Sequence, residues 1–382
     1  MHLEHNRTQQ NTALDGLRGF AALLVLFVHS HTALKGFVSQ TPALGWTSEI
    51  LGGFGRAGVG IFYALTGYLI FAQLMSKEQL YFKFVWRRIT RIYPVFFAVF
   101  CLYMVLFAMF PAVNKLRGMS MTEAGIVIVQ NLLLLPGVFK MPQLITVAWT
   151  LSFIMFFYLT APLYVKLLRL RKLKKRPVLF LLIATWFAYA ACCAWFDFSP
   201  RPLMFITGMI LYQVADSRLV MAPGKGWESV SFFGVLMALV FAWIYHAHQN
   251  WLFLPIEPPL LRQLVISAAM VPFFMYCIYH YGLVHRVMSN RVFVGLGKLS
   301  YSWYLVQGIT LYALLFALAR VDVKQVGYLG FSGLWLGAIV ANGVAAYVLY
   351  RLVEKPFSID RRRNKEVDLV SQQAAPAIAA KA

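Results

Sequence analysis

Apolar residues run along this chain in long stretches, and short polar segments rich in Lys and Arg separate them. A helix needs roughly 20 mostly apolar residues to cross about 30 Å of hydrocarbon. By that measure the pattern predicts an all-α, polytopic membrane protein. Ten transmembrane helices are expected at residues 13–31, 54–75, 92–110, 147–168, 178–196, 201–215, 228–247, 262–281, 301–319 and 329–351. The sixth is short, and Pro200 and Pro202 shape its start. The apolar stretch 121–136 is too short to span and reads as a surface or re-entrant helix. The first run contains Asp15 and Arg18 and no small-residue cleavage site follows it, so it is expected to stay as the first span. The chain divides into an N-terminal segment at 1–12, one membrane domain at 13–357 and a C-terminal tail at 358–382. The Ala- and Gln-rich end of that tail has the composition of a disordered segment.

Charge sets the orientation. The chain carries a net charge of +21, yet only 13% of its residues are charged and 60% are hydrophobic. Such hydrophobicity excludes a disordered protein. A soluble nucleic-acid binder would set its basic charge on a polar surface, which is lacking here. With the N-terminus placed inside, the inner segments hold 25 Lys and Arg and the outer ones 8. Both termini are therefore expected on the cytoplasmic side, and the bias accounts for most of the net charge. Cys101, Cys192, Cys193 and Cys277 lie in apolar stretches without metal-ligand spacing and read as small core residues. No metal site is expected.

Ionisable residues inside a span are costly and usually mark function. Asp15 and Arg18 occupy the inner half of the first span, and His29 its outer end. Arg18 and His29 are eleven positions apart, so on a helix they differ by about 20° and by roughly 16 Å of rise. His31 points about 200° away from His29. The alternative, with Arg18 snorkelling inward and His29 wetted at the outer surface, stays open on these grounds.

Arg87, Arg88 and Arg91 precede the third span, as a positive-inside anchor or as a fork for phosphate. The glycines from Gly52 to Gly60 lead into Thr66 and Tyr68; close helix packing is their plainer explanation, close ligand approach the other. Tyr301 and Tyr304 lie in an aromatic, hydroxyl-rich run from Ser300 to Gln307. Glu354 follows Arg351 at i, i+3, which permits a local ion pair. His246 and His248 end the seventh span with spacing poorly suited to a helix-borne metal site.

These segments resemble the acyltransferase 3 family of integral membrane O-acyltransferases. "LDGLRGFAALLVLFVHSH" is similar to the family's opening, with Arg18 and His29 at its spacing. "GVGIFYALTGYLI" resembles its second-span signature, with Thr66 where Ser is usual. "RRITRIYP" matches its Arg-x-x-Arg element at Arg88 and Arg91. "AWTLSFIMFFYLTAPLY", which includes Trp149, resembles its Trp-Ser-Leu-Ser segment, and "LGKLSYSWYLVQ" and "VEKPF" match its C-terminal elements. The likeness runs in order from Leu14 to Phe357. Two positions depart: Ile154 stands where the family often has an acidic residue, and Gln307 where it often has His.

The resemblance implies ten spans in a bacterial cytoplasmic (inner) membrane. It implies transfer of an acyl group, commonly acetyl, from cytoplasmic acyl-CoA to a sugar hydroxyl. The acceptor would be a surface polysaccharide, lipopolysaccharide O-antigen, peptidoglycan or a lipid-linked glycan. No permanently bound cofactor is implied; acetyl-CoA is a co-substrate. The partners are membrane lipid, acyl-CoA and the glycan, with no nucleic acid, and a homo-oligomer is left open. Arg18 and His29 are the expected catalytic pair, His29 as base and Arg18 fixing the donor. Arg88, Arg91 and Arg87 are expected to bind donor. Thr66, Tyr68, Tyr301 and Tyr304 are candidates for orienting substrate, and Asp15, Trp149 and Glu354 for support. Two other functions fit ten spans with intramembrane Arg and His. One is a transporter or flippase for a polysaccharide or lipid intermediate. The other is an inactive member serving as a partner.

Overall fold

A computed structural model describes residues 11–38, 42–196, 198–217, 227, 228, 231, 234, 258–279, 282–321 and 326–357. Among them lie no strands, only helices and an isolated bridge between Pro136 and Phe139. In chain order the helices are α1 (Thr12–Val38), α2 (Pro42–Ser76), α3 (Tyr81–Met109), α4 (Met121–Leu132) and α5 (Trp149–Leu167). They continue as α6 (Lys175–Phe196), α7 (Leu203–Ser217), α8 (Pro258–Ile278), α9 (Gly282–Met288), α10 (Arg291–Arg320) and α11 (Tyr328–Leu349). A π-helical turn, Tyr350–Glu354, continues α11.

Seven of these helices are long and apolar enough to cross a membrane, or up to eight if α8 and α9, bent by 78°, form one span. The expected short sixth span falls on α7, whose 15 residues leave it outside those seven, and the stretch after residue 120 falls on the twelve-residue α4, opened by a Ser120–Glu123 capping box. The span expected at 228–247, together with His246 and His248, lies largely outside the described residues, as does the C-terminal tail. Several helices begin well before the expected boundary. α2 starts at Pro42 and α10 at Arg291, because hydropathy reads only the hydrocarbon crossing while the helix runs on through the polar interface. Exposed Phe97, Leu102 and Val105 on α3, Phe156 and Leu163 on α5, and Leu336, Val340 and Val344 on α11 form mid-helix faces suited to lipid. Cys101 is exposed among them, whereas Cys193 and Cys277 are buried.

Between helices in lipid, association depends on close packing rather than on expulsion of water. α1 sits at the centre of the inner bundle, against α2 on one side and α10 on the other. A Cβ at Gly55 would stand 2.4 Å from the Leu24 carbonyl oxygen, and one at Gly58 2.7 Å from that of Ala21. The glycine run therefore brings α2 onto the backbone of α1. The same device joins α7 to α2, where a Cβ at Gly208 would stand 1.9 Å from the Ala64 oxygen.

Candidate active site

These close crossings leave an elongated cavity of about 270 Å³ between α1, α2, α3, α5 and α10. Its long wall is α2, where Val59, Phe62, Thr66, Leu69 and Gln73 recur at three- and four-residue steps on one face. From Val59 to Gln73 the helix rises roughly 21 Å.

One end of the cavity is basic. Arg18 from α1 and Arg88 and Arg91 from α3 line it. Arg88 is only 7% exposed. Its guanidinium donates to the Gln73 side-chain oxygen and lies 5.1 Å from the Phe84 ring centroid and 5.6 Å from that of Tyr158. Its Nε is buried with no hydrogen-bond partner among the described residues. Arg18 lies 3.8 Å from the Asp15 carboxylate and within electrostatic range of Arg91, Tyr158 and Glu354. Glu354 stands behind the wall, held by Ser302, and no carboxylate is among the lining residues. Arg91 is exposed at this end and lies within electrostatic range of Arg18 and Arg88, so a polyvalent anion would offset the mutual repulsion of the three.

The other end is neutral and hydroxyl-rich. The Tyr304 hydroxyl donates to the Val147 carbonyl at 2.8 Å and lies 2.6 Å from the Thr150 hydroxyl. Tyr63 donates to the Thr150 carbonyl at 3.4 Å and stacks on Phe205. Tyr301 donates to the Ile92 carbonyl at 2.7 Å, tying α10 to α3 midway along the cavity. Thr66 lines the cavity with no hydrogen bond to a described residue.

The structure thus brings Arg18, Arg88, Arg91, Thr66, Tyr301 and Tyr304 together, with Asp15 and Glu354 adjoining through Arg18. It places the remaining candidates elsewhere. Arg87 is exposed and is not among the residues lining the cavity. Tyr68 turns toward Tyr212, edge to face at 5.7 Å. Trp149 lines a separate cleft, with Arg201 4.2 Å from its ring centroid. His29 is half-buried and makes no hydrogen bond to a described residue. Gly58 meets α1 at Ala21 and Val25, Gly55 meets it at Leu24 and Val28, and Gly52 meets His31. Val59 marks the end of the cavity on α2, so His29 lies one to two turns farther along α1. His31 turns to α2, where its Nδ1 lies 2.9 Å from the Ser48 hydroxyl.

Sequence reasoning missed Gln73, Tyr158, Tyr63 and Thr150. Gln73 was findable, being a polar residue seven positions after Thr66 on the same helix face. Tyr158 likewise follows Ile154 by one turn.

The family model described as an acyltransferase domain matches residues 11–351. The chain belongs to the acyltransferase 3 family. No curated protein and no solved structure matches it. In this acyltransferase 3 chain the two departures have distinct surroundings. Ile154 lines the cavity, so a position where the family often carries an acid presents an apolar wall. Gln307 is fully buried and its carboxamide has no partner among the described residues. It shares the α10 face of the cavity-lining Ser300, about two turns on.

Proposed function

We propose that the protein is a membrane O-acyltransferase that moves an acyl group, acetyl being the simplest, from acyl-CoA to a hydroxyl of a cell-surface or lipid-linked glycan. The observation that carries this reading is the two-ended cavity. Three arginines with no lining carboxylate suit the phosphates of CoA, for which the guanidinium fork is well shaped. The roughly 15 Å rise of α2 from Gln73 to Tyr63 matches the reach of an extended pantetheine arm, which would present the thioester near Tyr63, Thr150 and Tyr304. In the reaction the acceptor oxygen forms a bond to the thioester carbonyl carbon and the carbon–sulfur bond breaks. The hydroxyl proton passes to a base and from there to the departing CoA sulfur. His29, beyond the cavity on the stripe of Arg18, is proposed as that base, because a neutral imidazole accepts a proton near neutral pH. The basic end faces the bacterial cytoplasm in this reading, where acyl-CoA is made.

The test is acetyl-CoA turnover by the purified protein, combined with mass spectrometry of surface glycans from cells with and without the gene. Arg91→Ala should raise the KM for acetyl-CoA about tenfold or more, the scale of one charge-assisted hydrogen bond, and Lys should restore it only in part. Unchanged donor affinity in Arg91→Ala and in Arg88→Lys would make the cluster a topology anchor. Passage of an unmodified glycan across the membrane would favour a transporter.

A further inference from the structure

Trp149 and Thr150 are neighbours in sequence but face different spaces. Thr150 lines the donor cavity, while Trp149 lines a polar cleft of about 250 Å³ on the other side of the same helical turn. Lys140, Gln143 and Arg201 complete the cleft's chemistry, and no carboxylate is among its lining residues. Arg201 makes no ion pair with a described residue; it lies over the Trp149 indole, 4.2 Å from the ring centroid.

The cleft is built rather than incidental. The segment from 133 to 148 that supplies Lys140 and Gln143 is pinned at several points. Asn131 donates to the Pro142 carbonyl at 2.9 Å and accepts from the Leu144 N–H at 3.0 Å. Lys115 donates to the Gln143 carbonyl at 2.9 Å and the Thr146 hydroxyl at 3.2 Å, and burial holds its ammonium below the usual lysine range. Gly137 adopts φ +113°, and a Cβ there would come 2.5 Å from the Trp149 oxygen, so this wall tolerates only glycine.

Beside the cleft lies an apolar groove of about 190 Å³ between α5, α6 and α7. The two adjoin at adjacent residues. Arg201 faces the cleft and Pro202 the groove; Trp149 faces the cleft and Phe153, one turn on, the groove. Along α5 the groove runs from Phe153 to Tyr164, roughly 16 Å. Its hydroxyls are satisfied internally: Thr160 bonds the Phe156 carbonyl, and Tyr164 lies 2.7 Å from Thr185. What remains is a hydrocarbon-lined slot ending at two cations.

We propose that the cleft and groove together bind a lipid-linked saccharide phosphate, the phosphate against Arg201 and Lys140 and the single lipid chain between α5, α6 and α7. This inference rests on the acyl-transfer reading and narrows its acceptor. Arg201 lies within electrostatic range of the Tyr63 and Tyr304 hydroxyls, which line the neutral end of the donor cavity. A sugar attached to a phosphate held at Arg201 therefore sits next to the thioester end. A phospholipid headgroup would carry the same charge but has two chains for one groove and no sugar hydroxyl to present.

The experiment measures binding to the full-length protein in nanodiscs. The probes are a farnesyl-phosphate-linked glucose, dodecyl glucoside, phosphatidylglycerol and CoA. The expected result is that the phosphate-linked sugar binds and that Arg201→Gln and Lys140→Gln each weaken it about tenfold. Thr160→Trp, which fills the groove, should weaken it as well. Dodecyl glucoside should bind far less tightly, and CoA binding should hold in all three variants, which also reports their folding. Unchanged affinity in these variants would overturn the proposal, and so would equal binding of dodecyl glucoside or full competition by phosphatidylglycerol. If wild type fails to bind CoA, the donor reading falls by itself, and the farnesyl probe still decides the cleft.

Discussion

Glu354, in the π-helical turn after α11, accepts two hydrogen bonds from Ser302 on α10, one from the backbone N–H at 3.2 Å and one from the hydroxyl at 2.5 Å. That contact fastens the end of the last helix to the helix that carries Ser300, Tyr301 and Tyr304, and keeps the Glu354 carboxyl group within electrostatic range of Arg18 and Arg91. The local pair with Arg351 expected from sequence spacing is thus not its main tie. Glu354→Ala should destabilise the protein by about 1.5–3 kcal/mol, the scale of a hydrogen bond to a charged group. Glu354→Gln, which still accepts, should cost less. Thermal melting in detergent reads both, and in a double-mutant cycle Ser302→Ala should add little to Glu354→Ala.

The two histidines of α1 should separate by readout. His29→Gln should lower turnover by about 10²- to 10⁴-fold, as expected for losing a general base, without altering melting. His31→Gln should leave turnover near normal but lower stability, because its ring packs against Gly52 and bonds Ser48. Near-normal acyl transfer by His29→Gln would remove it from the mechanism.

Two glycines of α2 offer a paired test of packing. Gly55→Ala places a methyl 2.4 Å from the Leu24 oxygen and should cost about 1–3 kcal/mol or more, seen as poor yield of folded protein. Gly45→Ala meets nothing within 4 Å and should stabilise the helix slightly.

Orientation is tested at the loop between α5 and α6. A cysteine introduced by Lys174→Cys should resist membrane-impermeant thiol reagents in intact cells and react once they are permeabilised. Ready labelling in intact cells would invert the assignment of the basic end to the cytoplasm.

The spans were legible because run length reports bilayer thickness, and Arg18, Arg88 and Arg91 because a charge in an apolar segment is conspicuous. What sequence could not show is which way a helix faces its neighbours. One residue is a 100° step, so Trp149 leaves the cavity while Thr150 stays, and Tyr68 leaves while Thr66 stays. Gln73 and Tyr158 do not stand out in the sequence, because a neutral polar group in a span is common; their contacts with the Arg88 guanidinium are what single them out. The bend between α8 and α9 falls where the expected span 262–281 ends; hydropathy marks that end but not the 78° turn that follows, which Gly282 makes at φ +89°.

Arg171 lies in the basic loop after α5 that is expected on the cytoplasmic side. Its Nε donates to the Leu74 carbonyl at 2.6 Å, and its guanidinium also donates to that of Lys77, capping the otherwise unsatisfied carbonyls at the end of α2. A residue counted as a label for sidedness is therefore also a clasp on the helix that forms the cavity's long wall, one turn from Gln73. Charge and shape come apart here: Arg171→Lys keeps every vote for the cytoplasmic side and gives up the fork. Protein carrying that change would insert the right way round and still hold its mouth loosely.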